Sequence, residues 1–137
     1  MRCTHVRRLL GAIAALALGA ASAAHAEAAD PLAAARQRFL LDCATCHGVD
    51  ATGNGPVASV LKIAPPDLTR IASRHGGVFS YADVYATIDG RMPLAHGTRE
   101  MPIWGNRYKQ MLPAYGEKRA HERIDGLVRW LESIQVP

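Results

Sequence analysis

The sequence predicts a small all-α domain. Two stretches, one near each end, repeat their apolar residues at spacings of three and four. No run shows convincing strand alternation, and the middle is broken by Gly and Pro without a sustained period. The chain has 137 residues, enough for one core of ordinary size. With 49% hydrophobic and 20% charged residues it belongs among folded chains and not disordered ones.

The first 26 residues stand apart from the fold. Arg2, Arg7 and Arg8 form a positive start, residues 9–23 an Ala/Leu-rich apolar run, and Ala24-His25-Ala26 a small-x-small cleavage site. That is the anatomy of a secretory signal peptide cleaved after Ala26. The run is shorter than the roughly 20 residues a spanning helix needs, although an uncleaved N-terminal anchor is the competing reading. The expected mature domain is residues 27–137, in which no segment is long enough to span a membrane. The leader carries three of the 16 Lys and Arg and none of the 12 Asp and Glu, so the mature chain has 13 basic against 12 acidic residues and a net charge of +1. No basic stripe stands out, and nucleic acid is not an expected partner.

Asp30-Pro31 is a helix start, an acid at the cap followed by Pro in the first turn. Leu32, Ala35, Phe39 and Cys43 then share one face. Gly48, Gly53, Gly55 and Pro56 mark a loop, with a short helix expected over residues 57–62 and a stop at Pro65-Pro66-Asp67. Ser80 is a suitable N-cap for a helix over residues 81–89, which Gly90 closes. Residues 91–105 read as a structured loop, residues 106–112 as a short helix ended by Pro113. Ala120, Ile124, Leu127, Val128 and Leu131 form the last amphipathic stripe. Gly126 inside it costs about 1 kcal/mol relative to Ala, which close packing against another backbone would explain.

Long loops in so short a chain need something to wrap. Disulfides cannot serve, because the mature chain holds only Cys43 and Cys46, three residues apart. A bound cofactor is the natural alternative, and Cys43-Ala44-Thr45-Cys46-His47 supplies its attachment point. This is a C-x-x-C-H motif for covalent c-type haem. Two thiols at this spacing reach the two vinyl groups of one porphyrin, and the adjacent imidazole can turn onto the iron. A thioredoxin-like pair would need a strand–helix context that the chain lacks. Half a zinc site has no second Cys pair or His-x-His cluster to complete it, and a structural disulfide across two residues is strained.

With this motif the mature chain resembles the class I, mitochondrial-type cytochromes c, specifically bacterial monohaem ones. Ala35 and Phe39, eight and four residues before the first Cys, match positions where the N-terminal helix of that family crosses the C-terminal one. Leu127, Trp130 and Leu131 match the opposing positions. Gly is usual where Ala35 stands. The resemblance implies an all-α cytochrome c fold, its terminal helices crossing and its loops wrapped around one covalent haem c. It also implies a distal methionine as the sixth iron ligand.

Met101-Pro102-Ile103-Trp104-Gly105 resembles the Met-Pro-x-x-Gly signature of the distal loop and lies 54 residues after His47. Met92-Pro93 is a competitor, Met111 reads as helical core, and His96 is a second axial candidate better read as a loop histidine. The expected metal ligands are His47 and Met101. Pro65-Pro66-Asp67-Leu68 matches the family segment beneath the proximal His. There the Pro66 carbonyl accepts the His47 Nδ1–H bond and Leu68 packs on the haem, unless the segment is a simple turn. Trp104, Tyr108 and Arg91 are candidate partners of the haem propionates, Trp104 reading equally well as cavity wall.

Iron with both axial positions filled has no vacancy for oxygen or peroxide, and its useful act is one-electron transfer. The expected protein is therefore a periplasmic electron carrier and not an enzyme. It would work alone or as the electron-transfer subunit of a respiratory or dehydrogenase complex, with redox proteins as donor and acceptor. The alternative is a haem enzyme or gas sensor with a labile or open sixth site. Lys109, Lys118, Arg119 and Arg123 read as a solvated helix face before they read as a docking patch.

Overall fold

The structure is a computed structural model and describes residues 31–92, 101–111 and 116–137. The expected leader, Asp30, Pro93, His96 and Pro113 lie outside the described residues. Helix α1 spans Pro31–Asp42, α2 Ala44–His47, α3 Ile71–Arg74, α4 Tyr81–Asp89, α5 Trp104–Met111 and α6 Gly116–Ser133. Two 3-10 turns, Ala58–Val60 and Leu68–Arg70, complete the elements, and no strand occurs among the described residues. No described helix is long and apolar enough to cross a membrane.

The two terminal helices build the core. Helix α6 buries Ala120, Ile124, Leu127, Val128, Trp130 and Leu131, the stripe its sequence spacing dictates. Helix α1 answers with Ala35 and Phe39, both buried, and with Leu32 partly buried; Cys43, just past its end, is partly buried on the same side. The Phe39 and Trp130 rings meet with centroids 4.5 Å apart, tilted by 40°. One helical turn along, a Cβ placed on Gly126 would stand 3.5 Å from the Ala35 Cβ. Gly126 therefore faces a small side chain and not another backbone as its sequence context suggested. Two small residues opposite one another let the helices approach while the aromatic pair fills the space beside them.

Helices α4 and α5 flank α6. Tyr81 donates a hydrogen bond to Asp125, which also accepts from Arg129 at 2.8 Å. Together the two donors hold the Asp125 carboxyl below its usual range. The Tyr85 hydroxyl meets His121 Nδ1. Ile88 of α4 and Trp104 and Tyr108 of α5 are buried.

Helix α4 has the expected bounds, and Gly90 ends it at φ 86°, the left-handed conformation favoured at that cap. Ser80 has the extended backbone of an N-cap, but its side chain makes no cap hydrogen bond. The side chain that does cap belongs to Asp67, which accepts from the Thr69 N–H at 2.9 Å and starts the 3-10 turn. Over residues 57–62 only the turn Ala58–Val60 forms, and α5 begins two residues before the expected 106. Met111, expected in the core, is 52% exposed because it sits at the end of α5, and its sulfur lies 3.5 Å from Arg123.

The segment 68–72 carries no helical period, and the C-terminal tail holds it in place. Gln135 Nε2 donates to the Leu68 and Leu131 carbonyls at 2.8 and 2.7 Å. Gln135 Oε1 accepts from the Ala72 N–H at 2.9 Å, and the Val136 N–H donates to the Thr69 carbonyl at 2.9 Å. One amide side chain thus serves three backbone groups, one on the 3-10 turn, one on α3 and one near the C-terminal end of α6.

Two stability outcomes follow from this packing. Phe39→Ala is expected to cost about 3–5 kcal/mol, because the ring is fully buried and α1 cannot collapse past Trp130; denaturant melts measure it. Gln135→Ala should cost about 2 kcal/mol, from three hydrogen bonds lost together, and lower the Tm of the folded protein.

Candidate functional site

The Cys43–His47 segment continues the helical path of α1. The Cys43 N–H donates to the Phe39 carbonyl at 2.8 Å, and the Cys46 and His47 N–H groups donate to the Cys43 carbonyl at 3.1 and 2.9 Å. At spacings of three and four, Cys46 and His47 fall on the same side as Cys43. The loop that follows packs closely on this turn. The Gly53 N–H donates to the His47 carbonyl at 2.8 Å and the Gly55 N–H to the Cys46 carbonyl at 3.1 Å. Gly53 sits at φ 88°, and a Cβ there would come within 2.3 Å of the Pro65 carbonyl oxygen, so this position admits only glycine without rearrangement. Ala51, fully buried, also takes a positive φ of 64°, and its carbonyl accepts from the Leu68 N–H at 2.8 Å. That bond ties the loop to the segment running past His47.

Two apolar cavities open beside this turn, of about 350 and 320 Å³. Both are lined by Cys43, His47, Pro66 and Met101. Their volumes lie in the range of small-molecule and cofactor sites. The first is walled by Phe39, Leu68, Ile71, Val84, Ile88, Leu127 and Leu131, with Met92 also at its border. The second takes in Cys46, Asp42, Leu61, Trp104 and Arg107. Cys43, Cys46, His47, Pro66, Leu68 and Met101, the residues expected to bind the cofactor, therefore each line one cavity or both. His47 Nδ1 lies 3.4 Å from the Pro66 carbonyl oxygen, the long end of the hydrogen-bonding range. Met101 is half-buried and packs against the core, whereas Met92 is 41% exposed and borders only the first cavity.

Cys43 and Cys46 are not joined in a disulfide. Burial pushes the Cys43 thiol up to about 12, with Asp42 and Cys46 adding in the same direction. Cys43 is thus held as a neutral thiol, the opposite of what a thiol-exchange site requires. Among the described residues no three His, Cys, Asp or Glu side chains group as metal ligands. Two thiols, one imidazole and one thioether facing apolar space suit an iron porphyrin joined through its vinyl groups, because such a ring needs apolar walls and nitrogen and sulfur donors.

Two of the three expected propionate partners are engaged elsewhere. Arg91 pairs with Asp89 and lies 5.6 Å over the Tyr85 ring. The Tyr108 hydroxyl donates to Asp42 at 2.7 Å. Trp104 is a buried wall of the second cavity, with the Arg107 guanidinium 5.2 Å above its ring. Beside His47 and the cysteines, the polar and charged side chains that line the cavities are Arg74, His75, Ser80, Asp83 and Thr87 on the first and Asp42 and Arg107 on the second. His75 is exposed, yet it also lines the first cavity, and its Nδ1 lies 2.8 Å from the Ile71 carbonyl oxygen. Val84 and Ile88, four apart on α4, share one helix face, but nothing in their local sequence points that face at the site. The partnership of Asp42 with Tyr108 had no sequence signal at all, since 66 residues separate them.

The family model for cytochrome c matches residues 32–135, and no match was found among curated proteins or solved structures. That match spans α1, the Cys43–His47 turn, both cavities and α6, and the chain therefore belongs to the cytochrome c family of haem-binding electron carriers.

Proposed function

We propose that this protein is a periplasmic one-electron carrier holding one haem through Cys43 and Cys46, with His47 and Met101 as axial ligands. It acts alone or as the electron-transfer subunit of a respiratory or dehydrogenase complex. The observation that carries this reading is the presence of His47 and Met101, far apart in sequence, on both apolar cavities beside the two thiols.

The haem, when bound, supplies reversible one-electron exchange. The chain's residues set the terms of that exchange. The Pro66 carbonyl, accepting from His47 Nδ1–H, fixes the tautomer that leaves Nε2 for the metal and raises its basicity. The Met101 thioether favours the ferrous state over the ferric, relative to a second imidazole. Phe39, Leu68, Ile71, Val84, Ile88, Leu127 and Leu131 exclude water and disfavour the additional positive charge of the oxidised state. Leu41, Ile63 and Ile103 are exposed at 71%, 50% and 52%, and the first two line the second cavity. An apolar surface there suits the small, transient contacts of redox carriers with donor and acceptor proteins.

The ferric holoprotein is expected to show the weak long-wavelength sulfur-to-iron band. Met101→Ala should abolish it and Met92→Ala should leave it in place; the reverse pattern would transfer the ligand role to Met92. A high-spin spectrum that shifts readily with carbon monoxide would instead favour a haem enzyme or sensor. Expressed with its leader in a host that matures c-type cytochromes, the protein should appear in the periplasm with the mass of residues 27–137 plus one haem. A mass that keeps residues 1–26 sinks the cleavage, and a mass without haem sinks the attachment.

A further inference from the structure

Asp42 is the last residue of α1 and immediately precedes Cys43. Its side chain is only 16% exposed and lines the second cavity. Among the described residues two groups face it, the Tyr108 hydroxyl at 2.7 Å and the Arg38 guanidinium at 3.6 Å. Tyr108 is 1% exposed, packed on Trp104 with centroids 5.6 Å apart and covered by the Arg123 guanidinium 5.4 Å from its ring. Burial and the Asp42 carboxylate push the Tyr108 hydroxyl far above the ordinary phenol range, so it remains a donor at every working pH. A ring serving only to fill the core would be served by Phe, whereas a buried hydroxyl bonded to a carboxylate is costly to leave half-made.

The position of this bond gives it a consequence. One end sits against the attachment turn, and the other is on α5, which starts three residues after Met101. We propose that the Asp42–Tyr108 hydrogen bond is the clasp that holds the segment from Met101 into α5 against the Cys43 end of the haem site, making Tyr108 a positioning residue for the distal ligand. The inference rests on Met101 being that ligand. The bond joins the end of α1 to α5, and its Asp42 end lines the second cavity together with Met101 and with Trp104, which lies between Met101 and Tyr108 in sequence. Displacing the Met101 sulfur from the iron then requires this bond to open or strain. Without it, the competent open state is more populated, and an added ligand binds more tightly by that factor.

Free imidazole titrated into the ferric holoprotein reads this directly, beside far-UV circular dichroism to establish folding. Tyr108→Phe and Asp42→Ala should each bind imidazole about tenfold more tightly, the worth of one hydrogen bond to a charged group. Asp42→Asn keeps an acceptor for the hydroxyl and should bind close to the wild-type affinity. A purely structural role would lower thermal stability and leave imidazole affinity unmoved. Met101→Ala is titrated in the same series. If it retains the sulfur-to-iron band, the ligand assignment fails and the clasp fails with it. If it loses the band while Tyr108→Phe binds imidazole as the wild type does, the clasp alone is overturned. Should Tyr108→Phe not fold, equal affinities for Asp42→Ala and Asp42→Asn overturn it.

Discussion

The contact between Phe39 and Trp130 is the interaction on which the rest of the molecule depends. It locks α1 across α6 at a point where Ala35 and Gly126 leave room for the helices to meet. The Cys43 N–H is bonded to the Phe39 carbonyl, so fixing Phe39 also fixes the first residue of the attachment turn. Leu127 and Leu131, from the same face of α6, become the floor of the first cavity. One helix crossing thus places the thiols, the imidazole and the apolar wall in a single operation.

The cavities themselves reflect a shortage of core. Aromatic residues are only 6% of the chain, and much of the described middle is loop held by backbone hydrogen bonds and not by side-chain packing. A porphyrin occupying the cleft would remove a large apolar area from water and act as the missing centre of the core. The loops at 48–57 and 65–70 are tied to each other and to the C-terminal tail so that they can stand around such a group. Gly53 against Pro65, Ala51 to Leu68 and Gln135 to three backbone groups are the ties.

Charge plays a smaller part. Lys109 is paired with Glu117, Lys118 with Glu122 and Arg129 with Asp125, all at exposed positions where such pairs contribute little to stability. They do cancel much of the basic character of α6, in line with a net charge of +1 over residues 27–137. Arg123 is drawn over the Tyr108 ring. Long-range electrostatic attraction from this helix is accordingly weak.

Helices α1, α4 and α6 and the attachment turn were readable from the sequence because each is dictated locally. Apolar spacing selects a buried face, Asp30-Pro31 and Gly90 mark where helical geometry starts or stops, and the thiols and imidazole must be neighbours to serve one porphyrin. Pro66, Leu68 and Met101 were reached only through resemblance, since nothing in their immediate sequence says what they face. Tertiary structure alone decided that Asp42 meets Tyr108, that Gln135 supports the 68–72 backbone, that Arg91 turns away to Asp89, and that Met111 is exposed. The reason is physical: local propensity and periodicity encode which face of an element is apolar, but a hydrogen bond between groups dozens of residues apart depends on helix crossings that no single segment contains.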